Sequence, residues 1–320
     1  MGAAQPPNSR AQARTWPYPR HRTFEESVRQ AATRWFSDHG HKVNARYPYI
    51  LADWNDWPAN IICPEVVKWV KAERQRREAK QEGFPLHKFI HHGLSSQAMV
   101  FNLVGPLIAG NDVAALRDAF VEQKLPWPEG DVTAEFEFED REVFREDAGQ
   151  PTSIDVVIRD GTGRAMLFVE SKFVEKEFGG CSVFKNGDCA GHNPVREPSS
   201  CYLHHLGRRY WGLLGKWGFL DGAAATDATC VLVNHYQFFR EVLFALESGG
   251  TFVLLSDDRS PTFFCHGPRG DRGLMPLLLG LVPEPLRKHI GHISVQSVVA
   301  SIKATGRHAW IADFERKYGL

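Results

Sequence analysis

Two strand-like runs, Ser153–Arg159 (SIDVVIR) and Arg164–Phe173 (RAMLFVESKF), flank Asp160-Gly161-Thr162-Gly163. β-Branched and aromatic residues on either side of a glycine-rich turn specify an antiparallel hairpin. Away from the turn, each run carries charge at one place: Asp155 in the first, Glu170 and Lys172 in the second. Asp155 and Glu170 are equally distant from the Thr162–Gly163 bond, so without a bulge they face each other, Cβ atoms about 5 Å apart. Glu170 and Lys172 are two residues apart and share one face of their strand, with Val169, Ser171 and Phe173 on the other. Two carboxylates and an amine thus converge among apolar neighbours.

Charged groups are seldom buried unless paired or metal-bound. An ordinary cross-strand pair between Lys172 and Asp155 is the simplest use of such a set. The register-matched second acid and the acidic run Glu135-Phe136-Glu137-Phe138-Glu139 before it favour a metal site. Mg²⁺, or Mn²⁺, takes a few carboxylate oxygens with water completing the octahedron. Asp155 and Glu170 supply those oxygens, and the Ser171 backbone carbonyl another. Such a metal neutralises a phosphoryl oxygen and lowers the pKa of bound water. Lys172 would position or deprotonate the attacking water. Glu135, Glu137 and Glu139 share a face in a regular strand, and Glu137 is the one expected to complete the metal shell.

The rest of the 320-residue chain supports an α/β protein. Residues 1–22 form an expected flexible leader without an apolar core, and so no secretory signal. Residues 23–91 form a helical N-terminal extension, with helices at Thr23–Asp38 and Pro64–Glu82, the latter carrying Lys68, Lys71, Arg74, Arg76, Arg77 and Lys80. Residues 92–256 form the core: helices near Ser95 and at Asp112–Phe120, a strand at Thr133–Phe144, then the hairpin. A helix at Ser200–Trp217, a strand at Ala228–Asn234, a helix at Tyr236–Glu247 and a strand at Thr251–Leu255 follow. Residues 257–320 form a C-terminal extension packed on the core. The longest apolar stretches fall short of a membrane helix. Six scattered cysteines suit a reducing compartment, so a cytoplasmic protein is expected. Lys+Arg equals Asp+Glu at 38 each, which argues against a protein that merely coats nucleic acid. No phosphate loop, nucleophile elbow, HExxH or dinucleotide fingerprint is present.

Ser153-Ile154-Asp155 followed by Glu170-Ser171-Lys172 resembles the split acid…(D/E)-x-K signature of the PD-(D/E)XK nuclease superfamily. The wider text Leu94-Ser95-Ser96-Gln97-Ala98, Phe101-Asn102 and Gly105-Pro106-Leu107, with Phe178-Gly179 and Cys181, resembles a bacterial family of restriction-endonuclease-like proteins within it. The resemblance implies an αβββαβ core with a mixed sheet flanked by helices. It also implies a DNA endonuclease of restriction or defence type, with Asp155 and Glu170 as metal ligands and Lys172 as catalytic lysine. The superfamily often adds an acid from its first core helix, where this chain offers Gln97 and Asn102. His204 and Arg208 stand on the helix after the hairpin, where the superfamily places site-supporting side chains. Some relatives hold an iron–sulfur cluster, and Cys181, Cys189 and Cys201 are the matching candidates for a second zinc or iron–sulfur site. Their spacings contain no CxxC pair.

Cutting both strands of a duplex would need a homodimer or two successive nicks. Two other functions remain open at this level: a catalytically silent nuclease fold that binds nucleic acid, and a cysteine-metal enzyme centred on residues 181–205.

Overall fold

The computed structural model describes residues 21–147, 149, 151–266 and 270–320. The expected leader lies outside the described residues except for His21 and Arg22, which already belong to the first helix. Thr23 therefore does not cap it.

The main helices are α1 (His21–Asp38), α2 (Pro64–Glu78), α3 (Ser96–Ala109) and α4 (Arg117–Glu122), followed by strands β1 (Thr133–Glu139), β2 (Ser153–Arg159) and β3 (Ala165–Lys172). Next come α5 (Tyr210–Lys216), α6 (Leu232–Glu247), β4 (Thr251–Ser256), α7 (Leu274–Leu281), β5 (Ile290–Ser294), α8 (Val295–Ala304) and α9 (Ile311–Tyr318). The strands lie in the order β1-β2-β3-β4-β5. β1–β2 and β2–β3 are antiparallel, β3–β4 and β4–β5 parallel. The expected αβββαβ order in a mixed sheet is present as α3-β1-β2-β3-α6-β4.

Each sheet face is sealed by helices. Phe136, Val156, Val169, Val253 and Leu255 pack under α1, α3, α8 and α9, whereas Ile154, Phe168, Phe252 and Leu254 pack under α5, α6 and α7. α3 starts where Ser95 accepts a hydrogen bond from the Ala98 N–H, satisfying one orphan donor of its first turn. It lies close against α2 because Gly105 leaves room: a Cβ there would come within 2.7 Å of Val66.

Several sequence expectations are corrected. Ala228–Asn234 is not a strand; Leu232–Asn234 opens α6, and the Leu232 and Val233 carbonyls accept from the Cys181 N–H. The expected helix at 200–217 is broken at Gly207 (φ 81°) into Tyr202–His205 and α5. Residues 113–116 form a 3₁₀ turn before α4, and β1 stops at Glu139. The fifth strand, Ile290–Ser294, was not foreseen: five residues interrupted by Gly291 carry too short a pattern. Gly291 lets Leu125 pack against the strand. Among the described residues no helix is long and apolar enough to cross a membrane.

The basic run on α2 divides. Lys68, Lys71, Arg74, Arg76 and Lys80 are exposed, whereas Arg77 is buried. Its guanidinium donates to the carbonyls of Phe136 (2.6 Å) and Glu137 (2.5 Å), and its Nε to Glu73 (2.9 Å). Those carbonyls need a donor because Glu137 leaves the strand conformation (φ 53°). Removing one partner strands the other groups in the interior. Arg77→Met is expected to lower unfolding free energy by about 3 kcal/mol, read from urea denaturation. Arg76→Met, on the exposed side, should leave the midpoint nearly unchanged.

Candidate active site

The hairpin pairs in the expected register, with Val156 opposite Val169, Val157 opposite Phe168 and Ile158 opposite Leu167. A bulge between Ile158 and Arg159 lies on the turn side, away from the acids. The turn closes through Gly163 N–H to the Asp160 carbonyl, with Gly163 at φ 84°, a conformation that favours glycine. Beyond Val156 the ladder gives way, and the Asp155 carboxylate accepts from the Ser171 N–H at 2.8 Å. The β1–β2 ladder likewise skips Glu137 and Asp155 between the pairs Phe136–Val156 and Phe138–Ile154. Phe136 and Phe138 consequently pack on opposite sheet faces, as do Val156 and Ile154. Both strands twist at one level, and that twist frees two acids to line a common cavity of about 600 Å³.

At the cavity floor, Lys172 Nζ donates to Glu170 Oε1 (2.6 Å) and to Gln237 Oε1 (2.8 Å). Gln237 Nε2 donates to the same Glu170 oxygen (2.7 Å), closing a three-membered ring of contacts. Gln237 reaches this point because α6 kinks at His235 (φ −130°, ψ 27°). Gly179 lies against it: its carbonyl accepts the Gln237 N–H, and a Cβ there would touch Gln237 Oε1 at 3.4 Å. On the opposite wall Gln97 Nε2 donates to Glu137 (2.6 Å), and Ser153 Oγ donates to its other oxygen (2.7 Å). Gln97 also accepts from the His87 N–H and donates to the Pro85 carbonyl.

Burial dominates the electrostatics. It pushes the Glu137 carboxyl up to about 7, against the hydrogen bonds from Ser153 and Gln97. Burial, then repulsion from Glu170 and Glu137, holds Asp155 well above the usual carboxylate range. Burial alone would lower Lys172, but Glu170, Glu175, Glu241 and Asp155 outweigh it and raise its pKa, so the ammonium stays charged. Glu241, one turn beyond Gln237 on α6, is fully buried, and neither carboxylate oxygen has a donor among the described residues.

Among the described residues five acids line this cavity, Glu137, Asp155, Glu170, Glu175 and Glu177, against three cations, Lys172, Lys176 and Arg240. Asp155 accepts a single hydrogen bond and Glu170 is bonded through Oε1 alone among the described residues, leaving one oxygen of each available. Two carboxylates with spare oxygens, Asp155 being held in a site that disfavours its charge, fit a hard divalent cation together with the Ser171 carbonyl. Glu137 lines the cavity, but both its oxygens are engaged, so it shapes the field more readily than it ligates. Glu135 pairs instead with Arg159, and Glu139 lies beside Gly83.

Other expected site residues lie elsewhere. Asn102 faces away from the cavity: its amide bonds the Ile62 N–H, the Asn60 carbonyl and the Tyr318 hydroxyl, tying α3 to α9. His204 is exposed and Arg208 donates to the Arg145 carbonyl; neither lines the cavity. The break at Gly207 removes them, and α6 is the helix that returns to the hairpin. Cys181 is buried, Cys201 half-buried and Cys189 exposed, all as free thiols. Among the described residues no three His, Cys, Asp or Glu side chains are gathered so as to hold a metal, although Cys181, Cys189 and Cys201 all lie near enough to Cys230 to help burial raise its thiol pKa. The acidic site offers two side chains and a main-chain oxygen, a smaller set.

Gln237 and Arg240 read from sequence as surface or capping residues, yet both line the cavity, and Glu241 carries no motif at all. The available signal was their spacing: Gln237, Arg240 and Glu241 are polar positions three and four apart on one face of a helix whose remaining residues are mostly apolar.

A family model described as Restriction Endonuclease associating with ARP matches residues 29–319. No curated protein and no solved structure matches the chain.

A carboxyl whose folded pKa lies above its unfolded one keeps its proton longer when folded, so stability falls as pH rises between the two values. For Glu137 that window runs from 4.5 to about 7. Across it Glu137 withdraws stability from the metal-free protein while the buried rings of His92 and His292, lowered to about 4, add it, so Glu137→Gln is expected to shift the slope toward gaining stability with rising pH. Urea midpoints measured at stepped pH check this; an unaltered slope in the variant would contradict it.

Proposed function

The chain belongs to the family of restriction endonucleases associating with ARP, and from that premise we propose a divalent-metal-dependent phosphodiesterase, an endonuclease acting on DNA. One observation carries the reading: Lys172 Nζ lies 2.6 Å from Glu170, on the strand whose Ser171 N–H is held by Asp155, at the floor of one cavity.

Asp155, Glu170 and the Ser171 carbonyl would hold Mg²⁺ or Mn²⁺. When bound, the cation supplies Lewis-acid charge neutralisation and a more acidic water. The charged Lys172 has no lone pair to take a proton, so its role narrows to orienting the attacking water and stabilising negative charge at the phosphoryl group. Gln237 bonds both Glu170 and Lys172 and holds their relative position, as outer-sphere partners of metal ligands do. Gln97 and Ser153 hold Glu137 at the opposite wall, where its proton or charge sets the local field. Hydrolysis of both strands of a duplex calls for two chains or two successive nicks.

Asp155→Asn, Glu170→Gln and Lys172→Ala are each expected to cut the rate of supercoiled-plasmid nicking in Mg²⁺ or Mn²⁺ by about 100-fold or more, with far-UV circular dichroism unchanged. EDTA should abolish nicking by the wild type. Wild-type rates in all three variants would overturn the assignment. Gln237→Ala should cost about 10–100-fold in activity or metal affinity. Independently of activity, Mn²⁺ should raise the melting temperature of the wild type and not of the Asp155→Asn, Glu170→Gln double variant.

A further inference from the structure

The turn between α2 and α3 forms one rim of the cavity, with Pro85 and His87 in its lining. Phe89 stands just outside, 44% exposed, its ring 5.1 Å from that of His87 and 4.8 Å from that of His92. Lys88 Nζ lies 4.9 Å over the same ring. A phenylalanine in water forgoes the stabilisation that burial would give it, and here the backbone holds it outward firmly. Asn60 Nδ2 donates to the carbonyls of Ile90 and His92, both at 2.8 Å, and Gln97 clamps Pro85 and His87. The exposed ring sits on a rigid mount, and Gln97 ties that mount directly to Glu137 in the site.

The surroundings select the kind of ligand. Burial lowers the pKa of His87, His91 and His92, the last to about 4, so near neutral pH these rings are flat and uncharged. Ammonium groups near the rim are Lys88 and Lys176, the latter 3.7 Å from Glu25 and flanked in the cavity lining by Glu175 and Glu177. A neutral aromatic surface flanked by ammonium groups suits a nucleobase with its phosphate. The floor adds a second constraint. Glu170, Ser171 and Lys172 are 3%, 1% and 7% exposed. A scissile phosphate must descend into the cavity to meet them, which a strand held in a regular duplex resists. A strand that leaves its duplex exposes the base faces that such a ring can stack.

We propose that Phe89, flanked by His87 and His92, is a stacking platform for an unpaired base beside the scissile phosphate, so that the substrate is single-stranded or locally opened nucleic acid. The proposal rests on the nuclease reading for the position of the site.

The test uses the full chain and a 2-aminopurine-labelled oligonucleotide of about 20 nucleotides, single-stranded or as a blunt duplex, first in EDTA and then in Mn²⁺. The wild type should bind the single strand more tightly and quench the 2-aminopurine by stacking. Phe89→Ala should weaken single-strand binding about tenfold or more and lose the quench, Phe89→Tyr should keep both, and duplex binding should hardly change. Tighter wild-type binding to the duplex, no binding to either form, or unchanged single-strand binding by Phe89→Ala would each overturn the platform. The Mn²⁺ arm separates the two ideas. Loss of affinity in Phe89→Ala without cleavage by any form keeps the platform and sinks the nuclease. Cleavage indifferent to Phe89→Ala does the reverse.

Discussion

A buried ammonium bonded to a buried carboxylate, with one amide bridging both, organises this molecule. Lys172 and Glu170 lie on the central strand of the sheet, almost without solvent, and Gln237 completes the contact from α6. Desolvating two charges costs several kcal/mol per ion, and their attraction repays it only when geometry and further hydrogen bonds are good. Packing that kinks α6 at His235 and presses Gly179 against Gln237 meets that requirement. Stability alone seldom justifies such an arrangement, since well-packed apolar residues of similar volume often do as well or better. Acids also outnumber cations along the cavity lining, an excess that the fold does not need and that the proposed metal site would use.

The sheet is built around the same point. β3 pairs antiparallel on one side and parallel on the other, so the hairpin brings Asp155 to Glu170 while the crossover to β4 carries α6 back over β3. The twist shared by β1 and β2 opens the sheet at Glu137 and Asp155, and Arg77 supplies donors to the carbonyls beside that opening. A helix that looks from sequence like a basic surface thus spends one of its arginines on the strand beneath it. The cavity is a gap in a ladder, held open from below.

Legibility follows the range of the interactions. The hairpin, its register and the convergence of Asp155 with Glu170 could be read because they depend on residues within twenty positions and on the two-residue period of a strand. Glu137 was legible as the acid nearest the site, but its engagement by Gln97 and Ser153 was not, since Gln97 lies forty residues away. Ala228–Asn234 looks like a buried strand because short apolar runs carry no distinguishing period. Its backbone meets the Cys181 N–H, and the run becomes the start of α6. Asn102 seemed to stand in for a missing acid, yet it lies five positions from Gln97, turned toward Tyr318.

By itself the sequence determined the hairpin and which three side chains could meet, because hairpin register and strand alternation are local properties; the αβββαβ order came from the family resemblance, since periodicity alone placed a false strand at Ala228–Asn234. Only the tertiary structure decided how those side chains are held. Gln237 and Glu241 come to the site through a crossover of some sixty residues, and Arg77 through packing between α2 and β1. The depth of the cavity and the exposed ring at its rim likewise depend on which surfaces meet, and chain distance does not encode that.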